Sequence, residues 1–212
     1  MLNCLAEEAK LTGVQREVPK AWYDLPTYYR GNTSTVVGHD AEIRRPSFGE
    51  RLDFELEIGC VIGRPGRDIA EADALDHVFG YTIFNDVSAR AMQNRMMPVG
   101  MGPGKGKDFD TGNVLGPWIV TADEIGDPQT LNLTARVNGE RWGGGSEPGM
   151  YFTWAQVISF VSQAETLEAG EVFGSGTVGT GCGYEHGRYL EDGDVVELEA
   201  DRIGVLRNKV VR

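Results

Sequence analysis

Glycine occupies 29 of the 212 positions, spread through the chain with no fixed period. A collagen-like chain needs glycine at every third position and a low-complexity chain clusters it, so both readings fail. Many short strands joined by tight turns account for the glycines instead. A hydrophobic fraction of 41% suits one globular domain with a real core. No internal repeat is present. The predicted fold class is α+β, mainly β, with a few short helices.

Local patterns fill in this outline. Residues Leu52 to Ile62 alternate, with Leu52, Phe54, Leu56 and Ile58 on one face and Asp53, Glu55 and Glu57 on the other, the signature of a strand. Further strands are predicted at Tyr81–Phe84, Val114–Thr121, Glu171–Gly174, Val195–Ala200 and Ile203–Val211, with Pro117 implying an edge or a bend. Asn138-Gly139, inside Leu131–Trp142, is a strong hairpin signal. Phe152–Ala164 is the clearest helix, with Trp154, Val157, Ile158 and Val161 at helical spacing. Leu2–Lys10, Ile69–Phe79 and Ala89–Arg95 are shorter helical candidates, and Ala21–Thr35 reads as loop or edge.

The net charge of −12 argues against nucleic acid or an anionic membrane as partner, since both ask for a basic surface. An acidic chain that binds an acidic small molecule must hold it locally, through a metal ion or a few Arg and Lys. Cys4, Cys60 and Cys182 are odd in number and far apart, which fits thiols in a reducing compartment rather than a disulfide framework or a zinc site. No apolar run approaches the ~20 residues of a membrane span. Met1 to Glu8 lack the basic start and apolar core of a signal peptide, so the expected location is the cytoplasm.

The acidic face of Leu52–Ile62 is the first unusual feature. Glu55 and Glu57 leave the same side of a strand and repel each other unless a cation or a proton sits between them. A solvated outer face of an edge strand would explain them equally well. Asp86 ends the apolar run Tyr81-Thr82-Ile83-Phe84-Asn85, a usual place for a functional carboxylate. Glu55, Glu57 and Asp86 together would make an oxygen-only site that prefers Mg²⁺, Mn²⁺ or Ca²⁺ and leaves positions open for water and substrate. Spacing alone does not make the two strands neighbours.

These stretches also resemble a known family. Leu52-Asp53-Phe54-Glu55-Leu56-Glu57-Ile58-Gly59, Phe84-Asn85-Asp86-Val87-Ser88-Ala89-Arg90 and Gly106-Lys107-Asp108-Phe109-Asp110-Thr111 resemble three signatures of the fumarylacetoacetate hydrolase family. Leu115-Gly116-Pro117-Trp118, Gly174-Ser175-Gly176-Thr177-Val178-Gly179 and the closing Gly193-Asp194-Val195-Val196 with Ile203 to Asn208 follow in order. The resemblance begins near Tyr28, which sets off residues 1–27, a possible shortened lid, from a catalytic domain over 28–212. It implies a mixed β-roll, a homodimer, and a Mg²⁺, Mn²⁺ or Ca²⁺ ion held by Glu55, Glu57 and Asp86. Lys107 matches a lysine beside metal and substrate, suited to a substrate carboxylate or an enolate. Thr111 matches a hydroxyl residue in the same loop. Arg90 and Gln93 match substrate contacts, Arg90 as a carboxylate clamp, with a local salt bridge to Asp86 as the alternative. Tyr29 fits a substrate-contact loop, Thr177 a glycine-rich turn with donors for an acidic group, and Glu185 a glutamate that orients a catalytic histidine.

The chain also departs from the family. Hydrolytic members carry that histidine near the N-terminus, and Leu2 to Ala9 has none. His39 lies in a probable turn, His77 reads as structural, and His186 adjoins Glu185. Asp108 and Asp110 are loop charges or outer neighbours of a metal, and Gly102–Gly106 is not a phosphate loop. The leading expectation is a metal-dependent hydrolase that cleaves a C–C bond in a small diketo acid of fumarylacetoacetate or acylpyruvate type. The alternatives are a decarboxylase, tautomerase or isomerase of oxaloacetate-like or dienoate acids on the same site, and a non-catalytic metal- or ligand-binding protein.

Overall fold

The computed structural model describes residues 9, 10, 13, 15, 17–145 and 150–212. The predicted helix over Leu2–Lys10 lies outside these except for its last two positions. Two five-stranded sheets form the body. The first runs in the order β1 (Val36–Val37), β8 (Asn113–Thr121), β6 (Val78–Asp86), β4 (Leu56–Ile62) and β12 (Val172–Gly174). The second runs β10 (Glu140–Gly143), β9 (Leu133–Val137), β13 (Val195–Ala200), β14 (Gly204–Val211) and β2 (Glu42–Arg44). Two short pairs complete the set, β3 (Leu52–Asp53) with β7 (Ser88–Ala89) and β5 (Gly66–Arg67) with β11 (Thr166–Leu167). The β1–β8 and β14–β2 pairs are parallel and the others antiparallel, the mixed arrangement the resemblance implies.

Each sheet follows its sequence pattern. In β13 and β9 every second residue is buried, so one face of the second sheet packs inward and the other meets water. β9 and β10 join through Asn138 and Gly139, both at positive φ (53° and 79°), the two-residue turn this dipeptide favours. Pro117 lies where the β6–β8 register slips between Tyr81 and Ile83, beyond the residues of β8 that pair with β1, so its missing N–H breaks no ladder. The packed faces share one core that includes Ile58, Ile83, Leu133, Leu198 and Leu206. Each such side chain contributes about 1.5–3 kcal/mol on burial.

Short helices close the ends. The stretch expected as loop over Ala21–Thr35 is irregular from 25 to 32, between α1 (Ala21–Asp24) and the 3₁₀ turn Thr33–Thr35, the latter capped by Asn32 Oδ1, which accepts from Ser34 N at 2.9 Å. α2 (Arg90–Met96) and α3 (Ala122–Ile125) are brief. α4 (Trp154–Val161) starts with a capping box between Thr153 and Gln156 and buries Trp154, Ile158 and Val161. The helix expected over Ile69–Phe79 is a 3₁₀ turn, Glu71–His77, followed at once by β6, because Val78 already pairs with Ile62 of β4. Among the described residues no helix is long and apolar enough to cross a membrane.

The strand expected over Leu52–Ile62 is two strands. At the break, Glu55 N donates to Asn85 Oδ1 (3.1 Å) and Leu56 N to Gly181 O (2.9 Å) instead of extending the ladder. Every residue of β4 is buried, so its acidic side is covered rather than solvated.

Candidate metal centre

The antiparallel register of β4 and β6 sets Leu56 opposite Asn85, which brings Asp86 beside Glu55; Asp86 N donates to Glu55 O at 3.2 Å. Glu55, Glu57 and Asp86 are 9%, 3% and 3% exposed, and each offers a carboxylate oxygen within 4.8 Å of the others. Three ionised carboxylates buried so close together repel each other strongly.

Two buried cations answer them in part. Lys107 Nζ lies 2.5 Å from Glu55 Oε2, 2.7 Å from Asp86 Oδ2 and 3.0 Å from the Asp86 carbonyl. Its loop can press against α2 because residue 106 is glycine: a Cβ there would sit 2.6 Å from the Gln93 Cα. Arg90 opens α2 and lies 2.7 Å from Glu55 Oε1, while its Nε and Nη2 donate to Asp53 Oδ2 at 2.8 and 2.6 Å. Tyr29 Oη donates to Asp86 Oδ2 at 2.5 Å, and Gly176 N donates to Glu57 Oε2 at 3.1 Å.

The charges decide what the site lacks. Burial raises the Glu55 carboxyl, but Lys107 and Arg90 outweigh it and hold the group at about 2. Glu57 is pushed well above its ordinary value by burial and then by Asp86 and Glu55. Asp86 is raised by burial, with Lys107 opposing. Burial alone would lower Lys107, yet Asp86 and Glu55 raise it, so the ammonium stays charged. The Tyr29 phenol is raised, first by burial and then by Asp86, and stays protonated. Asp53, Glu55, Glu57 and Asp86 against Arg90 and Lys107 leave a formal charge of −2. Asp86 Oδ1 is buried without a hydrogen-bond partner. An all-oxygen donor set, a deficit of two positive charges and an orphaned carboxylate oxygen fit one hard divalent cation.

The other expected residues fall into two groups. Lys107 and Tyr29 touch the carboxylates, and of the adjacent tyrosines it is Tyr29 that reaches in, while Tyr28 is 53% exposed. Arg90, expected as a substrate clamp, is bonded to protein groups. It is 3% exposed, and Asp53, Glu55 and the Gln93 Oε1 (2.9 Å) occupy its guanidinium, so Gln93 is bound to protein as well. The Arg90 salt bridges run to Asp53 and Glu55. Thr111 Oγ1 accepts from Arg44 N at 2.8 Å and so ties its loop to the end of β2. Asp108 Oδ1 accepts from Asn32 N at 3.1 Å, and Asp110 is exposed. Thr177 is half-buried in the loop that carries Gly176. Glu185 lies in the 3₁₀ turn Gly183–His186, with a buried Oε2 that has no hydrogen-bond partner. His39 Nδ1 accepts from Arg207 N, His77 Nδ1 meets the Arg64 carbonyl, and exposed His186 faces the Thr180 carbonyl. Asp53 and Asn85 were not singled out, although Asp53 shares the acidic row with Glu55 and Glu57.

A buried carboxylate triad with a lysine, on a mixed β-roll, defines a class of metal-site proteins. Residues 1–211 match the model of the fumarylacetoacetate (FAA) hydrolase C-terminal family. Oxaloacetate tautomerase YisK of Bacillus subtilis is 36% identical over 200 residues, 93% of this chain and 64% of that protein. The fumarylacetoacetate hydrolase of Exiguobacterium antarcticum superposes with a TM-score of 0.76 at 39% identity, over 84% of this chain and 63% of its own. A fumarylpyruvate hydrolase of Pseudomonas aeruginosa, solved with Mn²⁺ and pyruvate, gives 0.79 at 26% identity over 96% and 84%. The chain belongs to the fumarylacetoacetate hydrolase family. It spans under two thirds of the length of YisK and of the Exiguobacterium protein.

Proposed function

We propose that the chain is a divalent-metal-dependent enzyme that interconverts the keto and enol forms of a small oxaloacetate-like acid. The observation that carries this reading is the pairing of Lys107 and Tyr29 with the carboxylates. Both hold exchangeable protons against Glu55 and Asp86, whereas His39, His77 and His186 are bonded to backbone groups. Proton transfer beside a keto group needs such donors and no activated water. Bound Mg²⁺, Mn²⁺ or Ca²⁺ would polarise the keto oxygen and share an enolate's charge. Glu55, Glu57 and Asp86 would hold that ion. Lys107 would balance the enolate and give its ammonium proton to the carbon beside it, the enol hydroxyl proton passing to solvent and solvent reprotonating the amine, and Tyr29 would orient the acid. The names of the relatives, a tautomerase among them, support the class.

Hydrolysis of an acylpyruvate is the second reading. It is favoured by Glu185, whose unpartnered buried oxygen follows closely on Cys182, the residue bridged to Glu55. A carboxylate there suits activation of a water. The same reading includes a homodimer, supported by the exposed Trp118 and Ile119 on β8, and a cytoplasmic location.

The test is to strip the protein of metal, restore Mg²⁺ or Mn²⁺, and follow the enol absorbance of oxaloacetate and the product masses from acylpyruvates. Metal-restored tautomerisation that Lys107→Met loses supports the first reading. Two acids from an acylpyruvate, lost in Glu185→Gln, would replace it with hydrolysis. No turnover of either substrate with any metal would sink both.

A further inference from the structure

Asp53 has no part in the function proposed above, yet it is the most completely enclosed charge in the region. Its side chain is fully buried and fully engaged. Oδ1 accepts from Phe54 N (2.9 Å) and Gly183 N (2.8 Å). Oδ2 accepts from Tyr184 N (3.1 Å) and from Nε and Nη2 of Arg90. Arg90 then reaches Glu55 Oε1 through Nη1, and its guanidinium lies 5.0 Å from the Tyr184 ring centre.

The arrangement follows from the strand. Asp53, Glu55 and Glu57 recur at every second position, and Arg90 fills the gap between the first two. Among the described residues no cation spans the gap among Glu55, Glu57 and Asp86; Lys107 bridges Glu55 and Asp86. Glu55 therefore has one oxygen committed to Arg90 and one turned toward Lys107 and the other carboxylates. Asp53 shares Arg90 and anchors it from the far side. Without Asp53, Glu55 would be the one carboxylate left on Arg90, beside the Gln93 amide, and would be drawn away, and the formal charge of the group would fall from −2 to −1.

We infer that Asp53 is a positioning residue. Through Arg90 it orients Glu55 and sets the charge of the carboxylate group, while its other oxygen fixes the turn that carries Glu185. This rests on the reading that Glu55, Glu57 and Asp86 hold a divalent cation. Outer partners of metal-binding carboxylates are typically worth about 10–100-fold in metal affinity.

The test is Mn²⁺ binding, measured by calorimetry together with the paramagnetic resonance spectrum of the bound ion. Wild type is compared with Asp53→Asn, Arg90→Lys and, as a control for global charge, Glu199→Gln. The expected result is one Mn²⁺ per wild-type chain, affinity about 10–100-fold weaker with an altered spectrum in Asp53→Asn and Arg90→Lys, and no change in Glu199→Gln. Wild-type affinity and spectrum in a folded Asp53→Asn or Arg90→Lys chain would overturn the inference, as would an equal loss in Glu199→Gln. Should Asp53→Asn fail to fold, Arg90→Lys decides, because it keeps the charge but loses the fork that reaches both carboxylates. A wild-type chain that binds no Mn²⁺ would instead remove the metal reading, and this inference with it.

Discussion

Two segments of this chain read almost alike. Phe54-Glu55-Leu56-Glu57-Ile58 and Val196-Glu197-Leu198-Glu199-Ala200 both alternate apolar residues with two glutamates. Both provide strands inside five-stranded sheets. In β13 the glutamates lie half-buried on the outer face, and Glu199 meets Arg136 Nη1 at 2.6 Å with both side chains more than a third exposed. In β4 and the bridge before it the glutamates are covered, and Asp86, Lys107 and Arg90 close over them. The difference lies in what the neighbouring strands and loops bring. β6 ends in a carboxylate and feeds a buried arginine, whereas β9 and β14 present surface charges. The same pattern of glutamates is half-solvated in one sheet and closed into a buried acidic cluster in the other.

The widest separation between the segments is expected in activity. Glu57→Gln should lower metal-dependent turnover by more than ~100-fold, beyond what the loss of an outer partner costs, while Glu199→Gln leaves it unchanged. Steady-state rates at saturating Mn²⁺ check this, and similar losses in both would break the contrast. Next comes the core. Leu56→Ala and Leu198→Ala should each destabilise the fold by about 2–5 kcal/mol in urea unfolding. Only Leu56→Ala, between the two site glutamates, should also weaken Mn²⁺ binding.

A pH series sharpens the comparison further. The Glu57 carboxyl is raised in the folded chain by burial, Asp86 and Glu55. A group raised in this way favours the folded state below its unfolded value, roughly 4.3, and loses that contribution as the pH climbs through the raised value. The metal-free chain should therefore lose stability across that window. Saturating Mn²⁺ should raise the melting temperature more at pH 8 than at pH 5, where the ion must displace a proton; a larger gain at pH 5 would contradict the assignment. The smallest effect belongs to the second sheet, where Arg136→Ala should cost under ~1 kcal/mol in the same unfolding assay.

Periodicity made the second sheet legible. Alternation in Val195–Ala200, the Asn138-Gly139 turn and the helical spacing from Trp154 all describe local geometry, and all appear in the structure. The site was legible only in part, because alternation reports that Glu55 and Glu57 share a side but not what covers that side. Asp86 stood out by ending its strand, and the pairing of β4 with β6 supplies the missing adjacency. Arg90 shows the limit. α2 begins at Arg90, and no spacing in the sequence shows that its guanidinium turns to Asp53 across the site. The 3₁₀ turn at Glu71–His77 mimicked a helix for the same reason: a few residues of suitable spacing do not reveal that the next ones pair in a sheet.

The contacts that build the centre come from distant parts of the chain. Lys107 and Glu55 are 52 residues apart, Gly176 and Glu57 are 119 apart, and Gly183 and Asp53 are 130 apart. Closing loops of that length comes late and slowly in folding, so Lys107, Gly176 and the turn at Gly183 reach the carboxylates only after β4 and β6 have paired. An ion held there binds the finished fold and not its precursors, and its affinity counts against unfolding of the whole chain rather than one loop. Recovery of metal binding during refolding should then follow the slowest assembly step, making the ion a clock for completion of the fold.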